Sequence, residues 1–343
     1  MKDMLRVGII GMGGISRVHT DVLMNMENAK IVAVCDINQA RLQAAKEKTG
    51  AENAYENWED LIKQEDIDIV HVLTPHYLHA PMSIRALKAG KHVLTEKPMA
   101  TTVEDARKMI EAADQADTTL SVIFQNRYNA STVAVKEMQE AGELGRLICA
   151  RASICWHREA PYYTESGWRG AWATEGGGTL INQAIHTLDL LSYLGGPIKR
   201  VLGHISTDLL RDSIEVEDNC HAVFEYENGA KGVLHATNNY GIDAPILLEL
   251  VYENATYQLL AEKLLKVEDG VPHLVLRGQD AKHLGEKSYW GDSHKIQIAK
   301  LYDCILTGKK FEIDARSAFP ALNLVKAIQE SSAKNDWINL EKV

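Results

Sequence analysis

Residues 5–36 read LRVGIIGMGGISRVHTDVLMNMENAKIVAVCD. An apolar run predicts a strand that stops at the glycine-rich turn of residues 11–14; a helical segment follows, and a second apolar run ends at Asp36. This order of strand, turn, helix, strand and acid is that of a dinucleotide-binding unit. Gly11 permits a tight turn, Gly13 lets the backbone approach a pyrophosphate, and the helix N-terminus offers free N–H groups. The stretch therefore predicts a nucleotide site, the alternative being a purely structural turn.

The acid at the end of the second run predicts which cofactor binds. Asp36 lies about 20 residues beyond the turn, where a carboxylate accepts hydrogen bonds from a ribose 2′-OH and repels a 2′-phosphate. We therefore expect NAD rather than NADP. Ser16 replaces the third glycine of the G-x-G-x-x-G pattern, but it is small enough for close packing of helix and strand.

Composition narrows the class of protein and its partners. A chain of 343 residues is long enough for two domains, and 45% hydrophobic with 24% charged residues is typical of a soluble protein. The net charge of −10 argues against nucleic acid and membrane surfaces as partners. The five cysteines are scattered, and no signal-type or membrane-spanning stretch is recognisable, so we expect a cytoplasmic protein with reduced thiols and no metal site.

Strands and helices alternate through residues 1–125, which predicts a doubly wound parallel sheet. Such sheets bind ligands at the carboxyl ends of their strands. Beyond this point the strands lose their regular helical partners, and Asn228-Gly229 between two apolar runs predicts a hairpin. Residues 126–343 therefore form an α+β domain with a large, open, mostly antiparallel sheet.

One basic residue falls where the chemistry of such a sheet is expected. Lys97, in Glu96-Lys97-Pro98, directly follows the predicted strand of residues 92–95. An ammonium group at this edge can stabilise the charge that develops on a hydroxyl undergoing oxidation. The alternative is a solvated surface lysine.

A second stretch, residues 175–191, reads EGGGTLINQAIHTLDLL. Three glycines followed by an apolar-periodic run predict a buried helix, and Asn182, His186 and Asp189 share one face of it. These polar groups need partners in such surroundings. A catalytic role for His186 therefore competes with that of a hydrogen-bonded core residue.

Aromatic and arginine-rich loops precede this helix. Tyr163, Trp168 and Arg169 are candidates for substrate binding, because aromatic rings offer apolar faces for stacking and guanidinium groups bind hydroxyls or carboxylates. Arg127, just beyond the last strand of the parallel sheet, can reach the same cleft. Trp168 could equally anchor a long loop.

Taken together, these motifs resemble the glucose–fructose oxidoreductase / inositol dehydrogenase (Gfo/Idh/MocA) family. The resemblance covers essentially the whole chain. It rests on the glycine turn with His19, the acid Asp36, Thr74-Pro75-x-x-x-His79, Glu96-Lys97-Pro98, and the triple glycine followed by Asn182-x-x-x-His186-x-x-Asp189.

The resemblance implies an N-terminal Rossmann domain, a C-terminal α/β domain whose final helix can pack back on the first, and NAD(P)-dependent redox at a sugar or polyol carbinol. It implies that Lys97 and His186 are the catalytic pair and that a cis peptide precedes Pro98. Members similar to inositol dehydrogenase carry an Asp where this chain has Asn182, which removes a carboxylate from the expected relay. The turns and the resemblance together predict these cofactor-binding residues: Gly11, Gly13, Gly14, Ile15, Asp36, Thr74, Pro75, His79, Glu96, Lys97 and Gln125. The predicted substrate-binding residues are Arg127, Tyr163, Trp168, Arg169, Asn182 and His186.

Two other functions are compatible with the same residues. One keeps NAD tightly bound and oxidises a sugar transiently to permit elimination or glycoside cleavage. The other is a non-catalytic NAD-binding regulator, against which the presence of both Lys97 and His186 argues. By analogy with the family we expect a homodimer or homotetramer.

Overall fold

The computed structural model describes residues 2–278 and 293–342 and divides the chain into two compact units. The first unit comprises residues 1–125 and 292–319, and the second comprises residues 126–291 and 320–343. The sequence predicts a second domain of residues 126–343 whose final helix can pack back on the first; residues 292–319, within that range, cluster with the first unit. Among the described residues, none of the helices has the length and apolar character needed to cross a membrane.

The described strands and helices follow one another along the chain. They are β1 (Leu5–Ile10), α1 (Ser16–Met24), β2 (Ala29–Cys35), α2 (Gln39–Thr49), β3 (Asn53–Tyr55), α3 (Trp58–Ile62), β4 (Ile69–Val72), α4 (His76–Lys88), β5 (His92–Thr95), α5 (Val103–Asp114), β6 (Leu120–Val122), α6 (Ala130–Glu140), β7 (Leu147–Cys155), α7 (Ala160–Thr164), α8 (Ile185–Gly195), β8 (Ile198–Ser206), β9 (Asn219–Tyr226), β10 (Lys231–Thr237), β11 (Leu247–Tyr252), β12 (Thr256–Leu260), β13 (Lys263–Glu268), β14 (Val271–Leu276), α9 (Ser293–Thr307), α10 (Ala315–Lys334) and β15 (Ile338–Asn339).

The first unit contains the predicted parallel sheet. Its strand order is β3-β2-β1-β4-β5-β6, and every pairing is parallel. The order reverses between β1 and β4, which is where a doubly wound sheet forms its ligand crevice. The ends of α2 follow from local chemistry: the Asn38 side chain accepts from the Arg41 N–H at 3.0 Å, and Gly50 ends the helix with φ 66°.

The second unit contains a sheet with the order β14-β13-β12-β11-β7-β10-β9-β8-β15. All of its pairings are antiparallel except that of β10 with β7, so the expected mostly antiparallel sheet is confirmed. Asn228 and Gly229 lie in the predicted hairpin between β9 and β10, where Gly229 has φ 88°. Residues alternate between a buried and a more open face along β10, as Leu234 and Val233 illustrate.

Candidate active site

In the glycine turn after β1, the backbone packs closely against a neighbouring segment at Gly11 and borders open space at Gly13 and Gly14. Gly11 has φ +95°, and a Cβ atom there would lie 2.6 Å from the Leu73 carbonyl oxygen. A Cβ atom on Gly13 or Gly14 would meet nothing within 4 Å. Ile15 precedes α1 at the N-cap position and its side chain makes no capping bond, so the cradle leads into the N–H groups of a helix N-terminus.

Asp36, at the end of β2, is held against this turn. Its Oδ2 accepts from the Met12 N–H at 2.8 Å, and its Oδ1 accepts from the Asn38 N–H at 2.7 Å. Arg41 Nη2 lies 3.3 Å from Oδ1. The carboxylate therefore stands beside the glycine turn in the orientation fixed by two backbone donors.

His79 ties together the turns that follow β4 and β5. Its Nε2 lies 2.8 Å from the Thr74 carbonyl oxygen, and its Nδ1 lies 2.7 Å from the Pro98 carbonyl oxygen. The peptide between Lys97 and Pro98 is cis, as the resemblance implies, and Pro75 precedes α4 directly. Because His79 is buried and both ring nitrogens face backbone carbonyls, the structure gives it a positioning role for these turns.

Glu96 faces the interior of the first unit. Its Oε1 lies 3.0 Å from His19 Nε2 and 3.7 Å from His294 Nε2, while its Oε2 accepts from the Lys97 N–H at 3.2 Å. Burial alone would raise the pKa of Glu96, but bonds from His19 and His294 more than offset it and hold the pKa well below its ordinary value. The ligand atoms of the three side chains lie within 4.8 Å of one another, a spacing that suits a metal as well as a buried hydrogen-bonded cluster.

Gln125 lies three residues beyond the end of β6, at the carboxyl edge of the sheet. The residue is buried, and its amide oxygen has no hydrogen-bond partner among residues 2–278 and 293–342. A buried, unsatisfied acceptor costs free energy unless a ligand supplies a donor. Gln125 is therefore placed to receive a polar group of a bound molecule.

In the second unit, the triple glycine is needed because Glu217 approaches the backbone. A Cβ atom on Gly178 would lie 1.9 Å from the Glu217 carbonyl oxygen, which itself accepts from the Thr179 N–H at 3.0 Å. Glu217 Oε1 accepts from the Leu180 N–H at 3.1 Å, and Lys326 Nζ donates to the Gly176 carbonyl oxygen. These contacts fix the start of the helix that carries Asn182.

The buried helix predicted within residues 175–191 is in fact composite. Residues Leu180–Ala184 form a π-helical turn, and α8 begins only at Ile185. Asn182 lies in the π-turn and His186 in the first turn of α8. π-turns occur frequently at functional sites.

Asp189, the third polar residue of this stretch, has a structural partner. Arg127 Nε donates to its Oδ2 at 2.8 Å and Nη2 to its Oδ1 at 2.5 Å. Burial opposes the charge on Arg127, but the Asp189 carboxylate more than offsets this and leaves the pKa of the guanidinium raised. The Arg127 guanidinium is thus buried and already engaged by Asp189, which does not favour its binding a substrate. Substrate binding by Arg127 stays a prediction.

Asn182 is part of a polar network that sequence reasoning missed. Its Nδ2 donates to Glu175 Oε1 at 2.6 Å and lies 3.3 Å from the Tyr162 hydroxyl, which Gln183 Nε2 approaches to 3.2 Å. Asn238 Nδ2 contacts Gln183 Oε1 at 3.2 Å. A fully connected chain of this kind fixes the orientation of each amide.

Of two neighbouring tyrosines, the structure brings Tyr162 to Asn182 and buries Tyr163. Tyr163 is 1% exposed, packs against Leu210 and Ile214, and accepts from Asn238 Nδ2 at 2.7 Å. Its burial argues against the predicted contact with substrate, and Tyr162 is the better candidate. The Arg169 guanidinium lies over both the Tyr162 ring (4.5 Å) and the Trp168 ring (4.6 Å), so these two predicted residues stand beside Asn182's network.

The family models match both units. Residues 5–124 match the oxidoreductase family with an NAD-binding Rossmann fold, and residues 132–258 match the GFO/IDH/MocA C-terminal domain. The chain therefore belongs to the Gfo/Idh/MocA oxidoreductase family.

Individual relatives are enzymes named for sugars and polyols. The chain is 25% identical to a levoglucosan dehydrogenase of Pseudarthrobacter phenanthrenivorans over 99% of both proteins. It is 30% identical to a myo-inositol 2-dehydrogenase of Thermotoga maritima over 71% of this chain and 72% of that protein. The structure of the WlbA dehydrogenase from Bordetella pertussis, solved with NADH and UDP-GlcNAcA, superposes with a TM-score of 0.87, 30% identity and coverage of 99% and 100%.

The predicted class is thus confirmed: the protein is an oxidoreductase with an NAD-binding Rossmann fold, and it is similar to enzymes named as sugar and polyol dehydrogenases. The first unit fits NAD on its own geometry. Gly13 and Gly14 leave an open cradle, Asp36 stands beside it, and the Gln125 amide oxygen is unsatisfied among the described residues.

Alanine substitutions at Gly11 and Gly13 are expected to affect different properties, the first the stability of the protein and the second its affinity for NADH. Gly11→Ala should destabilise the protein by about 1–3 kcal/mol, because its Cβ atom meets the Leu73 carbonyl in a left-handed backbone conformation. Gly13→Ala should leave the melting temperature unchanged and weaken NADH binding at least about tenfold, because its methyl group enters the cradle. Thermal unfolding and NADH fluorescence titration measure the two effects. Unchanged NADH affinity in Gly13→Ala would contradict this placement of the cofactor.

Proposed function

We propose that the protein oxidises a secondary hydroxyl of a sugar or polyol with NAD, using Lys97 and His186 as its acid–base pair. The observation that carries the proposal is the joint presence of two features in a member of this family. Lys97 follows β5 in the turn tied down by His79, and His186 follows Asn182 on the helix opened by three glycines. A regulator that only bound NAD would need neither.

Each residue has a chemical task in this reaction. Bound NAD supplies the hydride acceptor. The Lys97 ammonium stabilises negative charge on the oxygen as the carbinol is oxidised, and the His186 imidazole takes up the hydroxyl proton. The Asn182 carbonyl oxygen accepts a hydrogen bond from a hydroxyl and so orients the ring.

The loop beside Asn182 is suited to a sugar face. The rings of Tyr162 and Trp168 offer apolar surface for the C–H side of a sugar, and the Arg169 guanidinium that lies over both rings offers donors for oxygen atoms. The Arg169 Nε has no hydrogen-bond partner among the described residues. This supports assigning these three residues to substrate recognition.

A screen with purified protein tests the proposal. NAD and NADP are each offered with levoglucosan, myo-inositol, aldoses, glycosides and sugar acids, and NADH absorbance is followed. We expect NADH to accumulate with at least one compound and NAD to be preferred over NADP, because Asp36 repels a 2′-phosphate. Formation of a rearranged or cleaved product without free NADH would instead favour transient oxidation with bound cofactor.

We also propose a homo-oligomer. On the more open face of the second-unit sheet, Val223 and Val233 are 41% and 46% exposed and lie opposite each other in register. A sheet face of this kind can pair between copies of the chain.

A further inference from the structure

Glu175 is a buried acid that the proposed reaction does not use. It directly precedes the triple glycine and is 0% exposed. Its Oε2 accepts from the Gly170 N–H at 2.6 Å, and its Oε1 accepts from Asn182 Nδ2 at 2.6 Å. Each carboxylate oxygen thus receives its own donor.

Because the two donors reach different atoms at the end of the side chain, both of these atoms must be acceptors. An ionised carboxylate offers acceptors only, whereas a carboxamide or a protonated carboxyl places a donor at one of the two positions. The backbone N–H of Gly170 cannot turn away, so a change at Glu175 is transmitted to the Asn182 amide, which can rotate by half a turn.

The rest of the network confirms the orientation of the amides. Thr179 donates to Asn238 Oδ1 at 3.3 Å, which leaves Asn238 Nδ2 to donate to Gln183 Oε1 and Gln183 Nε2 to face the Tyr162 hydroxyl. Asn182 Nδ2 approaches that same hydroxyl. The amide nitrogen of Asn182 therefore belongs on the side of Glu175 and Tyr162, and its carbonyl oxygen points the other way.

We propose that Glu175 is a positioning residue: its ionised carboxylate fixes the Asn182 amide so that the carbonyl oxygen, and not the nitrogen, is presented to the sugar hydroxyl. The catalytic consequence rests on the proposed function, whereas the orientation of the amide does not. The step involves no proton transfer through Asn182.

This role requires an ionised Glu175, but the buried surroundings of the carboxyl group disfavour its charged form. Burial raises the pKa of Glu175 to about 7, although the bonds from Gly170 and Asn182 and the charge of Arg169 act in the opposite direction. Glu217 also faces Glu175, as do the Tyr162 and Tyr163 hydroxyls. The Asn182 orientation should therefore be lost as the pH falls below about 7.

The test is a double-mutant cycle between positions 175 and 182. Glu175→Gln should lower kcat by about 10- to 100-fold, the range that corresponds to one hydrogen bond to a charged group, with unchanged NADH affinity. Asn182→Asp alone should also lower kcat, because it places two carboxylates in contact. The double variant Glu175→Gln/Asn182→Asp should recover most of the activity, because the new carboxylate accepts from the new amide. Glu165→Gln, an exposed change in the same loop, is the matched control.

The cycle is assayed with whichever compound of the sugar panel the wild-type protein oxidises. A double variant no faster than the slower single variant would overturn the proposal, as would a Glu175→Gln protein with wild-type kcat. Should Glu175→Gln fail to fold, Asn182→Asp alone still judges the proposal, because a wild-type kcat in that variant would overturn it.

A second measurement needs no turnover and separates failure of this inference from failure of the proposed function. The side-chain amide resonances of Asn182, assigned by their loss in Asn182→Asp, should titrate near pH 7 in the wild-type protein and not in Glu175→Gln. If the sugar panel yields no NADH but the amide titrates, the function is wrong and the positioning role stands. If the Asn182 amide resonances at alkaline pH are the same in Glu175→Gln as in the wild-type protein, the positioning role is wrong.

Discussion

Replacing Lys97 with methionine is expected to lower kcat for sugar oxidation by about 10²- to 10⁴-fold. Methionine keeps an unbranched stem of similar length but removes the ammonium that stabilises negative charge on the reacting oxygen. Affinity for NADH should change by less than about tenfold, because the glycine turn and Asp36 remain. Steady-state NADH production and NADH fluorescence titration measure the two quantities.

The matched control for this prediction is Lys88→Met. Lys88 is an exposed lysine at the end of α4 in the same unit, and its loss should leave both quantities unchanged. A Lys97→Met protein that retained more than about a tenth of the wild-type kcat would show that the ammonium carries less than one power of ten of the rate.

The second large effect is expected for His186→Asn. Asparagine keeps a polar group at the position but cannot accept a proton at neutral pH, so we expect kcat to fall by about 10²- to 10⁴-fold. His204→Asn, an exposed change on β8 in the same unit, should have no effect. Comparable loss in both histidine variants would point to a general effect on folding and not to a catalytic base.

Combining the two substitutions tests whether they act on the same hydroxyl. Residues that act as a unit are strongly non-additive, so the double variant Lys97→Met/His186→Asn should be about as slow as the slower single variant. If the two losses multiplied, Lys97 and His186 would be acting on separate events, and the proposed pair would be wrong.

The parallel-sheet unit was predictable because its signals are local. The apolar strands are followed by turn residues of defined chemistry, such as the Thr102 side chain, which accepts from the Asp105 N–H at 3.1 Å to open α5. The elements that were missed are short or exposed. β3 has three residues, and β14 (Val271–Leu276) is exposed at nearly every position, so neither carries a period-two apolar pattern.

The candidate site was predictable only in part, because a sequence shows contiguous motifs but not the contacts that a loop makes when it folds. Lys97 and Asn182 could be identified because their motifs are contiguous in sequence. Glu175 could not be assigned a role, although it stood in the quoted stretch, because its bonds depend on how the loop folds back. The sequence also could not say which of Tyr162 and Tyr163 turns toward Asn182, since adjacent residues of a short helix such as α7 face different sides.

The hydrogen bonds of Asp36 bear on attempts to engineer the protein for NADPH. The carboxylate does more than repel a 2′-phosphate, because it also satisfies the backbone N–H groups of Met12 and Asn38. Removing the Asp36 carboxylate leaves the exposed Arg41 guanidinium available to a phosphate. The same change deprives the N–H groups of Met12 and Asn38 of their acceptor. A redesigned variant would therefore need a short neutral acceptor at position 36, such as serine, so that the loop keeps its shape while the charge is lost.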